Sequence, residues 1–161
     1  MTVFINGRDL TVEQVIRVCR DGEEVKLTDE AIVNVKKARA YIERKLAEKA
    51  VIYGLTTGFG KFSNVMISSE ETEELQRNLI MSHTCAMGPA YPARDVRAAM
   101  LLRCNALARG NSGIRLETLQ TLIDMLNAGV HPVIPQKGSL GASGDLAPLS
   151  HIALALIGEG K

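Results

Sequence analysis

The stretch with chemistry of its own is Gly138-Ser139-Leu140-Gly141-Ala142-Ser143-Gly144-Asp145-Leu146-Ala147-Pro148-Leu149. The amide nitrogen of Gly144 can attack the carbonyl carbon of Ala142, closing a five-membered ring with loss of water. Gly at the nucleophile and Ala at the target keep hindrance low, and the flanking glycines permit the compressed backbone angles the attack needs. Loss of the Ser143 hydroxyl as a second water leaves an exocyclic methylene conjugated with the ring. That product is a methylidene-imidazolone, a strong electrophile made from the chain itself. Serine is required there because its oxygen can leave; alanine has no leaving group. Asp145 reads as an N-cap and Pro148 falls in the first turn that follows. The helix N-terminus would then face the ring and stabilise negative charge developing on it.

An isolated Ala-Ser-Gly would be no more than a flexible loop with a cap, so the twelve-residue context carries the reading. A serine-hydrolase elbow fails because Gly-x-Ser-x-Gly is not met: Ser143 and Gly144 are followed by Asp145. A phosphate loop fails at Gly54 to Lys61, where the glycine spacing is wrong and Phe62 stands in place of Ser or Thr. His83 and Cys85 are close, but no second ligand pair accompanies them, so no metal is expected. Cys19, Cys85 and Cys104 are widely spaced within apolar patterns and read as reduced, buried thiols of a cytoplasmic protein.

The elements that must position this segment are mostly helical. The chain has 161 residues, 46% of them hydrophobic, and no Trp. That allows one domain with a core of Leu, Ile, Val, Ala and Met. A net charge of +1 with interspersed signs excludes a basic nucleic-acid stripe, and no apolar run reaches membrane-spanning length. The opening, Met1 to Gly7, has no charged-then-apolar pattern of a targeting signal. Val3 to Ile5 reads as a strand meeting Asn6-Gly7, a type I′ turn signal, with Val25 to Leu27 as its pairing candidate. Thr11 and Gln14 form a capping box for a short helix ending near Gly22. Thr28 caps a long helix with Ala31, Val35, Ala38, Ile42 and Leu46 at helical spacing. Tyr53 to Phe62 is a glycine-rich loop that bends sharply or moves. Further helices are expected from a Ser69 cap through Leu75, Leu79 and His83, over Ala93 to Arg109, over Leu116 to Ala128, and over Leu146 to Ile157. Gly88, Pro89, Pro92, Pro132 and Pro135 interrupt them.

Four pieces, Tyr53 to Gly60, Leu75 to His83, Ala108 to Arg115 and Gly138 to Leu149, resemble those of the ammonia-lyases that carry a methylidene-imidazolone, most closely the histidine ammonia-lyases. They occur in that family's order. The resemblance implies a mainly α fold, the helical N-terminal domain of the fumarase/aspartase-like ammonia-lyases, with a small extended N-terminal piece. It implies that Ala142, Ser143 and Gly144 form the electrophile and that Tyr53, on a mobile loop, handles substrate protons. A tyrosine of ordinary pKa, about 10, would need that value lowered to act as a base. It implies that His83 contacts the substrate side chain, and Ser82-His83 points to an imidazole. Asn78, His131 and His151 read as structural. The implied reaction is loss of ammonia from L-histidine to give urocanate, in a cytoplasmic homotetramer.

On the same resemblance, residues 1–161 are the N-terminal catalytic-loop domain of a longer lyase. The helical bundle that would supply further active-site groups is absent. The fragment is expected to be inactive alone and to expose apolar helix faces. Two other readings stand beside it. One is a phenylalanine or tyrosine ammonia-lyase or aminomutase with the same electrophile. The other is a non-catalytic helical oligomerisation module.

Overall fold

The computed structural model describes residues 1–58, 69–141 and 144–161. The first strand, β1 (Thr2–Ile5), pairs in parallel with β2 (Glu24–Leu27), Val3 opposite Val25 and Ile5 opposite Leu27. Those four side chains are buried, and their neighbours Phe4 and Lys26 are exposed, as strand alternation requires. A parallel pair needs a crossover, and the crossover is helical. It contains α1 (Val12–Ile16), with the Thr11–Gln14 capping box, and a π-helical turn (Arg17–Asp21) that closes on Gly22 at φ 72°.

The turn signal at Asn6-Gly7 does not produce a hairpin. Asn6 Oδ1 accepts from the amides of Arg8 and Asp9, at 2.9 and 3.1 Å. Gly7 donates its N–H to Asn105 Oδ1 at 2.9 Å, and a Cβ on it would lie 2.6 Å from Arg109 Cβ. A long-range contact has overruled the local turn.

The long helix α2 (Asp29–Ala47) is capped by Thr28, whose Oγ1 accepts from Ala31 N. Acidic residues occupy its first turn and basic ones its last, as the helix dipole favours. Its expected apolar seam is buried only at Ala31 and Val35, and Leu46 at the far end is exposed. The core lies between α4 (Ala93–Ala108) and α5 (Leu116–Asn127). Met100, Leu101, Cys104 and Ala108 are sealed there together with Leu119, Ile123 and Leu126. Two polar side chains stitch this core to the N-terminal sheet. Asn127 pairs with both backbone groups of Val25, accepting from N at 2.8 Å and donating to O at 2.9 Å. Arg97 donates to the carbonyls of Leu126 and Val18.

The proline-rich breaks form a second, antiparallel pair. β3 (Met87–Ala90) meets β4 (Pro135–Lys137), with Met87 opposite Lys137 and Ala90 opposite Pro135 across an irregularity. Sequence reading left both stretches as mere helix breaks. Pro135 is tolerated because it opens its strand, where a missing N–H costs least. Gln136 Nε2 and the Tyr91 N–H add bonds to Ala90 O and Ile134 O. The remaining helices, α3 (Ser69–His83) and α6 (Leu146–Leu156), pack on each other. Arg77 in α3 pairs with Glu159 just beyond α6 at 2.6 Å. The Ser69 side chain, expected as a cap, lies outside the described residues. Among the described residues no helix is long and apolar enough to cross a membrane. Exposed apolar side chains are present as expected, among them Leu102, Leu140 and Leu146.

The thiols correct one expectation: Cys104 is buried and Cys19 half-buried, but Cys85 is exposed. Burial pushes the Cys104 thiol up to about 12, so it stays protonated and unreactive throughout the neutral and mildly alkaline range. Timed alkylation at pH 8 followed by peptide mass mapping should label Cys85 first, Cys19 more slowly and Cys104 only on unfolding. Early modification of Cys104 in folded protein would refute this packing.

Candidate active site

The glycine segment enters from β4 under steric pressure. Gly138 has φ 126°, and a Cβ on it would stand 3.1 Å from Ala86 Cα. The segment therefore starts against the chain that has just left α3. Further on, the Gly144 N–H donates to Gly141 O at 3.3 Å. The Ser139 hydroxyl hydrogen-bonds the Asp145 carboxylate, joining positions six residues apart. Ala142 and Ser143 themselves lie outside the described residues. Their flanks are joined by one backbone bond and one side-chain bond. Gly144, at φ 94°, has a backbone that an L side chain would strain.

Asp145 stands at the N-cap position of α6, as expected, but makes no capping bond. Its backbone is left-handed, φ 54° and ψ 49°, and its carboxylate is held by Ser139 instead. Aspartate is among the few residues that tolerate this conformation, at a cost of about 1 kcal/mol or more. With no Asp145 cap, the first N–H groups of α6 retain their partial positive character beside the segment.

His83 ends α3. Its Nδ1 is 2.8 Å from the Leu79 carbonyl oxygen, which can only accept, so Nδ1 carries the proton. In that tautomer the lone pair lies on Nε2. Ser82 donates to the same carbonyl at 2.9 Å and lies 3.1 Å from His83 Nδ1, and Thr84 donates to Ile80 O. Three successive side chains thus close the last turn of α3. Leaving that turn, the chain passes Ala86, which touches Gly138, and enters β3. The end of α3 and the start of the glycine segment therefore lie side by side.

Tyr53 is 64% exposed, in a turn pegged by threonines. Thr56 Oγ1 accepts from Ile52 N and donates to Ala50 O, both at 2.8 Å. The buried Thr57 accepts from Gly54 N and donates to Gly58 O. The sharp bend expected here is thus present, at Gly54 with φ 70°, while Phe59 and Gly60 lie outside the described residues. Thr56, Thr57 and Ser139 escaped sequence reading, although Thr and Ser beside glycines are a known signature of side-chain-pegged turns.

A cleft of about 540 Å³ opens between α4 and α6 beneath the segment. Ser139, Gly144 and Asp145 form one wall, and Asp95, Ala99 and Arg103 of α4 face them. Tyr53 and His83 do not line it. Among the described residues, no three His, Cys, Asp or Glu side chains gather as a metal site would require. The other two histidines sit in drier surroundings. Burial pushes the pKa of both down, helped at His131 by the charge of Arg97, so both are neutral at pH 7. His151 Nε2 is buried with no hydrogen-bond partner among the described residues.

A family model for aromatic amino acid lyases matches residues 10–161. The chain is 58% identical over 159 residues to the histidine ammonia-lyase of Alkaliphilus oremlandii, covering 99% of this chain and 31% of that protein. In three dimensions it is similar to the ergothioneine-degrading enzyme of Treponema denticola, at TM-score 0.94 and 38% identity over 99% of this chain and 32% of that one. It is also similar to histidine ammonia-lyase from Trypanosoma cruzi, at TM-score 0.90 and 39% identity over 99% of this chain and 30% of that one. The chain thus spans about 31% of the length of the curated relatives it matches. A family model matched over residues 10–161, on a mainly α framework that superposes on solved members over nearly its whole length, places the chain in the aromatic amino acid lyase family.

Proposed function

We propose that this chain is the electrophile-bearing N-terminal part of a histidine ammonia-lyase, which removes ammonia from L-histidine to leave urocanate. The observation that carries the reading is the closure of the glycine segment by Ser139, Asp145, Gly141 and Gly144 around the Ala142-Ser143-Gly144 tripeptide. A methylidene-imidazolone formed from Ala142, Ser143 and Gly144 supplies an electron-poor carbon that activates an amino acid toward loss of ammonia. The α6 N-terminus stabilises negative charge at that position. Tyr53, on its pegged turn, moves a proton of the substrate. His83 offers Nε2 as an acceptor for the N–H of a substrate imidazole, and this proton-accepting edge favours histidine over a phenyl side chain. The complete protein is a cytoplasmic homotetramer whose other parts finish the site, and residues 1–161 form its N-terminal catalytic-loop domain, inactive when isolated.

Intact mass reads ring formation directly, since a formed ring lowers the mass by two waters. Ser143→Ala should remove the second loss and, in the longer protein, cut urocanate formation roughly 10³-fold or more. Unchanged turnover in that variant would instead favour a non-catalytic helical module.

Ser139→Ala and Asp145→Ala should each raise the uncyclised fraction, Asp145→Ala more so, because it removes both the clamp and a residue tolerant of φ 54°. Full cyclisation of both variants by mass would show that the clamp is not needed.

His83→Leu should raise KM for histidine about tenfold, the loss of one hydrogen bond to a polar ring, about 1.4 kcal/mol. It should also improve relative turnover of phenylalanine. An unaltered preference, with helix content preserved by circular dichroism, would reduce His83 to a helix-terminating residue.

A further inference from the structure

A second cleft, of about 380 Å³, opens far along α4 from the glycine segment, where the turn after β1, the middle of α2 and the turn after α4 meet. Arg8, Lys37 and Arg109 line it from these three directions, with the amides of Asn34 and Asn111 and the Tyr41 ring between them. No Asp or Glu is among its lining residues. Arg39, Arg44 and Lys45, on the same α2, each hold a glutamate within 4.0 Å, whereas Arg8, Lys37 and Arg109 form no ion pair among the described residues. Asp9 follows Arg8 in the chain, but its carboxylate is taken by Asn6 Nδ2 at 2.7 Å.

The three segments are locked together by glycines. A Cβ on Gly7 would stand 2.6 Å from Arg109 Cβ, and one on Gly110 would stand 2.7 Å from the Asn34 carbonyl carbon. Both glycines have positive φ, 83° and 77°. The backbones that carry the cations are therefore nested in contact, and the three exposed side chains line one cleft without an acidic partner among the described residues. Like charges held together raise the free energy of the folded state, and a bound anion relieves it.

The geometry points to an anion-binding site for a phosphate monoester of a small organic molecule. Three cations approaching from three sides match the tetrahedral oxygens of a phosphate, which carries about two negative charges near neutral pH. A carboxylate, planar and singly charged, would satisfy one arginine fork and leave the others unpaired. The cleft is larger than a phosphate group, which leaves space for an organic substituent beside Tyr41. The site shares no residue with Tyr53, His83 or the glycine segment and does not depend on the lyase reading.

The test is a ¹H–¹⁵N titration of this chain with phenyl phosphate, inorganic phosphate and acetate at constant ionic strength. Phenyl phosphate should give saturable shifts confined to Arg8, Asn34, Lys37 and Arg109 to Asn111, with inorganic phosphate weaker. Arg8→Gln and Lys37→Gln should each weaken binding at least fivefold. Their side chains are exposed and make no hydrogen bond among the described residues, so the fold should survive. Lys26→Gln, on β2, should leave binding unchanged. Non-saturating shifts, shifts spread over all basic surfaces, equal weakening by Lys26→Gln, or acetate binding as well as phosphate would each overturn the assignment.

Discussion

The antiparallel contact between Met87–Ala90 and Pro135–Lys137 joins the end of α3 to the start of the glycine segment, alongside the packing of α3 on α6. His83 lies four residues before this pair and Gly138 one residue after it. The pair is short, irregular and interrupted by proline, so its hydrogen bonds alone would not hold it. Its reinforcement is steric and lateral: Gly138 against Ala86, Gln136 to Ala90, Tyr91 to Ile134. Without it, α3 would be an amphipathic helix docked on α6 alone, and the glycine segment would leave the core on an unsupported arm.

Given that anchor, closing the segment becomes a local entropic problem. A loop this short with three glycines has many open conformations, and ring closure requires one compressed family of them. Ser139 and Asp145 narrow the set by joining the segment's two ends. Asp145 sacrifices its capping role and adopts a left-handed backbone to do so. Asp145 thus breaks two local preferences at once, which is how strain persists only where surrounding contacts over-determine the backbone.

Local features were legible from sequence because their physics spans three or four residues. The Thr11–Gln14 box, the Thr28 cap and the helix end near Gly22 all stand where the pattern placed them. The parallel sense of β1 and β2, the β3–β4 pair, Asn127 on Val25 and the Ser139–Asp145 bond were not legible. Each depends on a partner whose position only the folded chain determines. Asn6-Gly7 shows the competition directly, since a strong hairpin signal yields to the packing of Gly7 on Arg109. At the candidate site, residue types pointed to the tripeptide, and the family resemblance pointed to His83. Which His83 nitrogen is committed to the helix, and what joins Ser139 to Asp145, needed coordinates.

The three histidines show how environment sorts identical side chains. Partial burial pushes the pKa of His131 and His151 down and so favours their neutral form. His83 differs in having one nitrogen pinned to the Leu79 carbonyl, which fixes tautomer and ring orientation together. Pinning Nδ1 is what makes Nε2 a directional acceptor rather than a rotating ring with two equivalent edges. The bond that closes the α3 helix thus leaves the opposite nitrogen of the same imidazole uncommitted to the helix.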